Sequence, residues 1–529
     1  VRTQMTVELN RVTDLDTPTA APFGHRPANF SGFVRAKDAR LVDGDGTEVL
    51  LRGVGLGNWM LPEGYMWGFG PGAESPREIE ALFARHAPEA AASFWEEFRD
   101  AFIDEADIAL IAASGFDHVR LPINSRVIQD DAGNPIEAGY ALIDRLIEWC
   151  RTHRLWVLLD LHGAPGGQTG TNIDDSPRNL PELFMVEEYR ERTVRLWRDL
   201  ATRYAGETVV LGYDLLNEPL PNEWQHTYAA ELADLYRELT REIRAIDPDH
   251  LIVYEGSHWA TNWDIFTEVW DDNSMLQFHK YWSSPDTDSI ERFLEARDRL
   301  GLPIYMGEGG ENTIEWLYTA FRLYETHDIG WNFWPWKKIA TRTSPLSVIP
   351  PEGWRSVVAG VSDPAALEGV DVARILTDLL QAVRVHNCRW QPEIVAALLS
   401  HEPRVIPAWG FGFRGEGESY SVRSGTALPG IRETDAAGIT WARPGDNPAN
   451  PFEQNDGREY RPEEQLVVRL EPGDWLEFEV EAAGPMAALD GAGAEAPVRV
   501  ERSARGIRVT AQEATDLARL VPRSGGGTW

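Results

Sequence analysis

The sequence predicts an α/β fold, a (β/α)8 barrel followed by an all-β sandwich, and three observations carry that prediction. Between about residues 41 and 399, short apolar runs alternate with longer amphipathic ones, the pattern of βα units around a parallel sheet. The apolar runs number eight, which suggests closure into a barrel. Beyond Pro403 the pattern shifts to short β-type runs separated by Gly, Pro, Asn and Asp, as in a small sandwich.

In chain order the strand candidates are Val49–Gly57, Phe116–Leu121, Trp156–Leu161, Val209–Leu216, Leu251–Glu255, Met275–Phe278, Ile304–Gly307 and Ile329–Trp334. Between them, apolar residues recur at spacings of three and four over Phe94–Ala113, Ala141–Thr152, Glu187–Tyr204, Thr227–Ile246, Ile290–Arg299 and Ile314–Thr326, and each such stretch reads as an amphipathic helix. Two more helices, near Asp371–Val385 and Pro392–Leu399, complete the outer ring. The turn chemistry of Leu41 to Gly46 marks a hairpin that floors the barrel. In the sandwich, Tyr420–Val422, Gly438–Trp441, Gln465–Leu470, Trp475–Val480, Val498–Val500 and Ile507–Thr510 read as strands.

A chain of 529 residues exceeds one ordinary core. The divisions follow as an extension over residues 1–32, a barrel over 33–402, a sandwich over 403–515 and a tail over 516–529. The ends, Val1 to Gln4 and Leu520 to Gly527, are set aside from the fold, the latter because it resembles a protease-site linker.

Acidic residues outnumber basic ones by 84 to 50, a formal charge of −34, which repels phosphate backbones and anionic lipid and excludes nucleic acid as an expected partner. The 21 Trp suit stacking on sugar rings, whose faces are apolar and whose rims are hydroxyls, although packing accounts for many of them. Two cysteines, Cys150 and Cys388, give no disulfide framework and read as free core thiols. Neither His nor carboxylate spacing indicates a metal, and no cofactor is expected. No run of 18 apolar residues occurs, so no membrane span is expected. For the chain as given the expectation is a cytoplasmic protein, or a secreted one if a leader has been removed. Oligomeric state is not legible.

In a barrel, function collects where the strands end. The second candidate ends in Val119-Arg120-Leu121-Pro122, the third in Asp160-Leu161-His162-Gly163 and the fourth in Leu216-Asn217-Glu218-Pro219. The fifth ends in Glu255, the sixth in His279-Lys280-Tyr281, the seventh in Gly307-Glu308-Gly309 and the eighth in Trp334-Pro335-Trp336. Glu218 and Glu308 therefore face each other across the barrel mouth, in a geometry that places them about 5 Å apart, the separation used in double displacement at a glycosidic carbon. Glu308 is the expected nucleophile and Glu218 the general acid/base. Asn217 is placed to donate to a sugar 2-hydroxyl. Arg120 is expected to keep Glu308 ionised and low in pKa, with Tyr281 donating a further hydrogen bond. Glu255 reads as a supporting group rather than a third catalyst.

This ordered set, with His162, His279, Tyr281 and Trp334 at matching strand ends, resembles glycoside hydrolase family 5, a family of retaining glycosidases on (β/α)8 barrels, over roughly residues 33 to 395. Within it the likeness is strongest to exo-β-1,3-glucanases, through Leu51 to Trp59, Leu161 to Gln168 and Gly330 to Lys337. That resemblance implies that Glu63, four residues after Trp59, binds the terminal sugar. It also implies substrate contacts for His162, His279 and Trp334. The sequence departs from those enzymes at Gly309-Gly310-Glu311 and at Lys337-Lys338, which leaves sugar and linkage open. Leu470 to Phe478 is fainter in its likeness to carbohydrate-binding sandwich modules, and a plain strand explains it as well.

His162 and His279 are also readable as histidines that brace the sheet mouth without touching substrate. Trp334 and Trp336 share one face by period two, so one serves as a sugar platform while the other packs, and both are candidates. The loop from Leu61 to Pro76, with Tyr65, Met66, Trp67 and Phe69, is bulky enough to wall off one end of the cleft, and that favours attack on terminal sugars. The alternatives are an endo-acting glycanase, a hydrolase of glycolipids or aryl glycosides, and a non-catalytic sugar-binding protein. The last conflicts with the intact pair Glu218 and Glu308. All catalytic groups precede Pro403, so the whole site is expected on the barrel.

Overall fold

The computed structural model of the chain describes residues 26–523, apart from 424, 426, 429, 436 and 483. Eight parallel strands close into a barrel in ring order: β1 Arg52–Gly55, β2 His118–Asn124, β3 Trp156–Gly163, β4 Val210–Asp214, β5 Leu251–Glu255, β6 Ser274–His279, β7 Ile304–Gly310 and β8 Gly330–Trp334. Each lies on one of the eight expected runs, and all but β1, which is half-buried at Arg52, are buried throughout. Near-continuous apolar runs are what a parallel sheet covered on both sides requires.

The helices Glu187–Tyr204 and Ile314–Thr326 match the periodic stretches residue for residue. The stretch Phe94–Ala113 does not form one helix. It splits into Pro88–Phe102 and Glu105–Ser114, because Asp104 accepts from the backbone N–H of Ala106 and Asp107 while Asp107 reaches back to the Asp104 N–H. That reciprocal cap starts a helix where periodicity alone runs on. A helix absent from the expectation, Pro76–His86, opens with Ser75 and Glu78 in a similar box.

At the N-terminal ends of the strands a three-stranded antiparallel sheet, Arg35–Lys37, Arg40–Val42 and Glu48–Val49, closes the barrel. Ala28, Val34 and Leu41 form one apolar cluster there with Leu51, Leu158, Leu211, Val253 and Met275. The Ala28 N–H donates to the Arg154 carbonyl at 2.9 Å, so the described part of the expected N-terminal extension belongs to the barrel floor.

The C-terminal region forms two sheets. One holds Ile406–Pro407, Thr515–Pro522, Leu466–Leu470 and Gly438–Trp441, with Met486–Asp490 paired to Thr515–Pro522; the other holds Tyr420–Ser421, Trp475–Glu479, Gly506–Ala511 and Val498–Arg502. The expected end at residue 515 is corrected. Thr515–Pro522 pairs with three other strands and buries Leu517 and Leu520, so it is the spine of its sheet, not a linker. Its Gly-rich continuation lies outside the described residues, as do the set-aside residues Val1 to Gln4.

Barrel and sandwich share one apolar cluster. Asn312 Nδ2 donates to the Phe452 carbonyl at 2.7 Å, Asn450 Nδ2 to the Trp282 carbonyl at 2.9 Å, and the Arg432 N–H to Asp286 Oδ2 at 2.7 Å.

Candidate active site

The floor of the barrel mouth is one guanidinium inside a cage of carboxylates. Arg120, on β2 and fully buried, donates through Nε to Asp214 Oδ2 at 2.9 Å, through Nη1 to Glu308 Oε2 at 2.9 Å, and through Nη2 to Glu255 Oε1 at 3.0 Å and Asn217 Oδ1 at 2.8 Å. Asp160 lies 3.2 Å from Nη2. Burial alone would favour a neutral group, but Asp160, Asp214, Glu255 and Glu308 together hold Arg120 charged. A planar fork of five donors can be shared in this way; a lysine could not reach four strands at once.

Glu308 ends the regular part of β7, where the register against β6 and β8 slips around Gly307. A bulge there re-aims the carboxylate into the mouth. A Cβ on Gly307 would stand 2.0 Å from Gln277 Cδ, so the close strand approach needs glycine. Besides Arg120, Glu308 accepts from Tyr281 Oη at 2.7 Å. The expectation of a low pKa for Glu308 is corrected. Burial raises it, the neighbouring Glu218 adds to that, and the opposing His279 and Arg120 do not cancel the rise.

Glu218 follows β4 with φ 43°, a left-handed conformation that is uncommon for a residue other than glycine and typical of functional positions. Its backbone N–H donates to Glu255 Oε2 at 2.7 Å, which fixes that turn. Its side chain accepts from His279 Nδ1 at 2.7 Å. Burial disfavours a charged imidazole, yet Glu255, Glu308 and Glu218 outweigh it and hold the His279 pKa well above the usual value. His162 behaves oppositely, since burial pulls it down to about 4. As a neutral ring it gives Nδ1–H to Asp160 at 2.7 Å and takes the Asn217 Nδ2 hydrogen at 3.3 Å. It also stacks on Trp334, with centroids 5.3 Å apart and planes at 10°.

Single oxygens of Glu218 and Glu308 and a ring nitrogen of His279 lie within 4.8 Å of one another. A small cation would fit that spacing, but the donor set is committed otherwise, with Glu308 on Arg120 and Tyr281 and His279 held as a proton donor.

These groups open into a cleft of about 650 Å³ lined by Glu63, His162, Glu218, His279, Tyr281, Glu308 and Trp334 among others. Arg120 and Asn217 lie fully buried beneath it. The structure does not bring Trp336 to the cleft. That indole is fully buried, donates Nε1–H to Asp107 Oδ1 at 2.9 Å and packs against Phe116 and Trp390. The period-two pairing fails because β8 ends at Trp334. Glu63 is buried, with Oε1 lacking any hydrogen-bond donor. Burial, helped by Glu308, Glu311 and Glu218 and opposed by Lys338, holds its carboxyl well above the ordinary range. Of the loop aromatics only Tyr65 reaches the cleft, where it accepts from Trp334 Nε1 at 3.0 Å. Trp67 and Phe69 instead pack with Phe83 and Trp354.

Sequence reasoning missed Ile173, Trp259, Trp282, Glu311, Lys338 and Asn455, which also line the cleft. Glu311 and Lys338 had a signal, since both fall on departures from the exo-glucanase pattern. Asn455 had none. It belongs to the C-terminal domain, so the cleft is not confined to the barrel.

Residues 85–339 match the family model described as Cellulase (glycosyl hydrolase family 5). The chain is similar to a "Beta-xylosidase" of Phanerodontia chrysosporium, 28% identical over 347 residues, covering 58% of this chain and 71% of that protein. It is similar to "Endoglucanase C" of Acetivibrio thermocellus, 28% identical, covering 46% of this chain and 87% of that one. It is also similar to a "Probable glucan 1,3-beta-glucosidase A" of Emericella nidulans, 31% identical, covering 47% and 62%.

Proposed function

Since the chain belongs, through residues 85–339, to glycosyl hydrolase family 5 and is a glycoside hydrolase, we propose that it removes terminal β-linked sugars with retention, using Glu308 as nucleophile and Glu218 as acid/base. The observation that carries this reading is the pair of carboxylates with oxygens within 4.8 Å of each other, the short separation used for double displacement rather than for water-mediated inversion.

The unequal surroundings support the division of roles. Glu308 receives Arg120 and Tyr281, two donors that favour a carboxylate ready to attack the anomeric carbon. As the C–O bond breaks, Glu218 gives its proton to the leaving oxygen. In the second step it takes a proton from water, and the water oxygen displaces Glu308 from the anomeric carbon. His279, its pKa held well above the usual value by the carboxylates around it, stands beside Glu218 and favours the carboxylate formed after that transfer. Asn217, held by Arg120, gives one amide hydrogen to His162 and so fixes that ring in the cleft. Trp334 lies against Gly55 and Gly57, where a Cβ would stand 2.6 Å from its ring, and so offers a fixed platform for a sugar face.

Attack at chain ends is favoured by Glu63, Glu311 and Lys338, polar side chains that line the cleft together and can hold the hydroxyls of a terminal sugar. Relatives carry the names glucan 1,3-beta-glucosidase and endoglucanase, and release of monosaccharide without an early fall in the viscosity of a soluble β-glycan is the expected sign of attack at chain ends. A second reading concerns the leaving group. Ile173, Trp259 and Trp282 lie on the cleft wall, and their apolar surfaces suit an aglycone with an aromatic or aliphatic face. Proton NMR of the first minutes of turnover tests the mechanism: the first free sugar is the β anomer. An initial α anomer is incompatible with the proposal.

A further inference from the structure

Two side chains that no sequence motif singled out as ligands meet in the cleft wall. Lys338 donates Nζ–H to Glu311 Oε1. Both are nine-tenths or more buried, and both line the cleft that holds Glu63. The ammonium sits 5.2 Å from the ring centroid of Tyr65, whose hydroxyl is tied to Trp334. Glu311 has φ 48°, and its carbonyl accepts from Trp282 Nε1 at 3.1 Å. The next residue, Asn312, is anchored on the Phe452 carbonyl of the sandwich. The pair is therefore held from three sides.

An ammonium has three donors and no acceptor. One hydrogen of Lys338 goes to Glu311 and Tyr65 offers only a ring face, so donor capacity remains toward the cleft. Glu63 is the converse, with a buried oxygen that receives no donor. A sugar hydroxyl satisfies both, because it gives one hydrogen and accepts another. An uncharged, deoxygenated position satisfies neither and would leave both groups desolvated and unpaired, the situation in which polar sites discriminate most strongly. An anionic sugar would meet the Glu311 carboxylate beside the one ammonium, next to the buried carboxyl of Glu63. Glu311 balances the ammonium's charge and limits its rotamers.

We propose that Lys338 and Glu311 are specificity-determining residues for the terminal sugar: the ion pair aims the ammonium at a hydroxyl that Glu63 also binds, so the enzyme selects a neutral sugar bearing that hydroxyl. The inference rests on the glycosidase reading of Glu218 and Glu308.

The test compares kcat/KM for the best-hydrolysed 4-nitrophenyl β-glycoside with its monodeoxy analogues, in the unaltered enzyme, Lys338→Met, Glu311→Gln and Lys338→Arg. In the unaltered enzyme one or two analogues fall about 10- to 100-fold below the parent glycoside. In Lys338→Met and Glu311→Gln that penalty shrinks to about threefold or less, because the parent has lost the same contact, while Lys338→Arg keeps most of it. A merely structural role lowers all substrates together and leaves the penalty intact, which overturns the inference while the glycosidase reading stands. No turnover of any β-glycoside by the unaltered enzyme overturns both.

Discussion

The two ends of the barrel are built from the same eight strands and differ in almost everything else. At the N-terminal end, Val34 and Leu41 close an apolar cluster with Leu51, Leu211 and Met275, and the left-handed residues Asp38, Arg154 and Asp328 sit at exposed turns. At the C-terminal end four carboxylates surround Arg120, Glu63 Oε1 is buried without a donor, and Glu218, Leu220 and Glu311 are left-handed while buried. Buried left-handed backbone and clustered charge gather at the end that opens into the cleft, and apolar burial dominates at the end that only stabilises.

The largest effect expected from this contrast separates activity from stability. Glu308→Ala lowers turnover of an aryl β-glycoside by about 10⁴-fold or more with little change in melting temperature. Leu41→Ala does the reverse, losing about 2–5 kcal/mol of stability with kcat unchanged below the melting transition. Comparable losses of both properties in both variants would erase the distinction between the ends.

Glu63→Ala sharpens it. Loss of the carboxyl proposed to bind a sugar hydroxyl lowers kcat/KM about 5- to 150-fold, from about 1–3 kcal/mol for a polar group left without its partner. The sign of the stability change is opposite to that of an ordinary truncation. A carboxyl whose pKa is raised by folding binds its proton more tightly in the native state, so its burial penalises the native state increasingly as pH rises past the unfolded value of about 4.3. The variant therefore gains melting temperature over the unaltered enzyme, and gains more at pH 8 than at pH 5. A variant less stable at every pH would show that Glu63 holds the loop together instead.

The smallest effect lies at the edge of the site. Lys280, beside Asp286 and Arg292, gives its Nζ–H to Ser283 Oγ at 2.6 Å, and burial brings its pKa down to about 7. Between about pH 7 and the unfolded value near 10.4 the unfolded chain binds the extra proton, so this residue makes stability rise with pH over that window. Lys280→Met should raise the melting temperature by a few degrees at pH 6 and by less at pH 9. An equal shift at both values would mean that the lysine does not titrate in the folded state.

The strands and the groups at their ends were legible because a buried parallel strand is an unbroken apolar run, and the first polar residues after it, such as Asn217-Glu218 and Glu308, stand out. Local chemistry is written there too: Asp104 and Asp107 spell out the cap that splits the Phe94–Ala113 stretch, a signal that apolar periodicity alone passes over. Contacts between loops were not legible. Nothing in the sequence says that Lys338 pairs with Glu311 across 27 positions, or that Trp336 turns to Asp107 while Trp334 stays in the cleft. The strand Thr515–Pro522 was hidden by its Gly-rich continuation. Asn455 reaches the cleft only because Asn312 and Trp282 hold the sandwich loop, a tertiary fact with no periodic trace.

The most direct test of the central claim, that Glu308 attacks and Glu218 moves the proton, is the anomeric configuration of the azide adducts from two variants. With an activated aryl β-glycoside and added azide, Glu308→Ala leaves space where the nucleophile stood and gives the α-glycosyl azide. Glu218→Ala still forms the glycosyl–Glu308 intermediate and gives the β-glycosyl azide. Opposite anomers, assigned by proton NMR, are the predicted result. The same anomer from both variants, or the two anomers exchanged, would contradict the assignment.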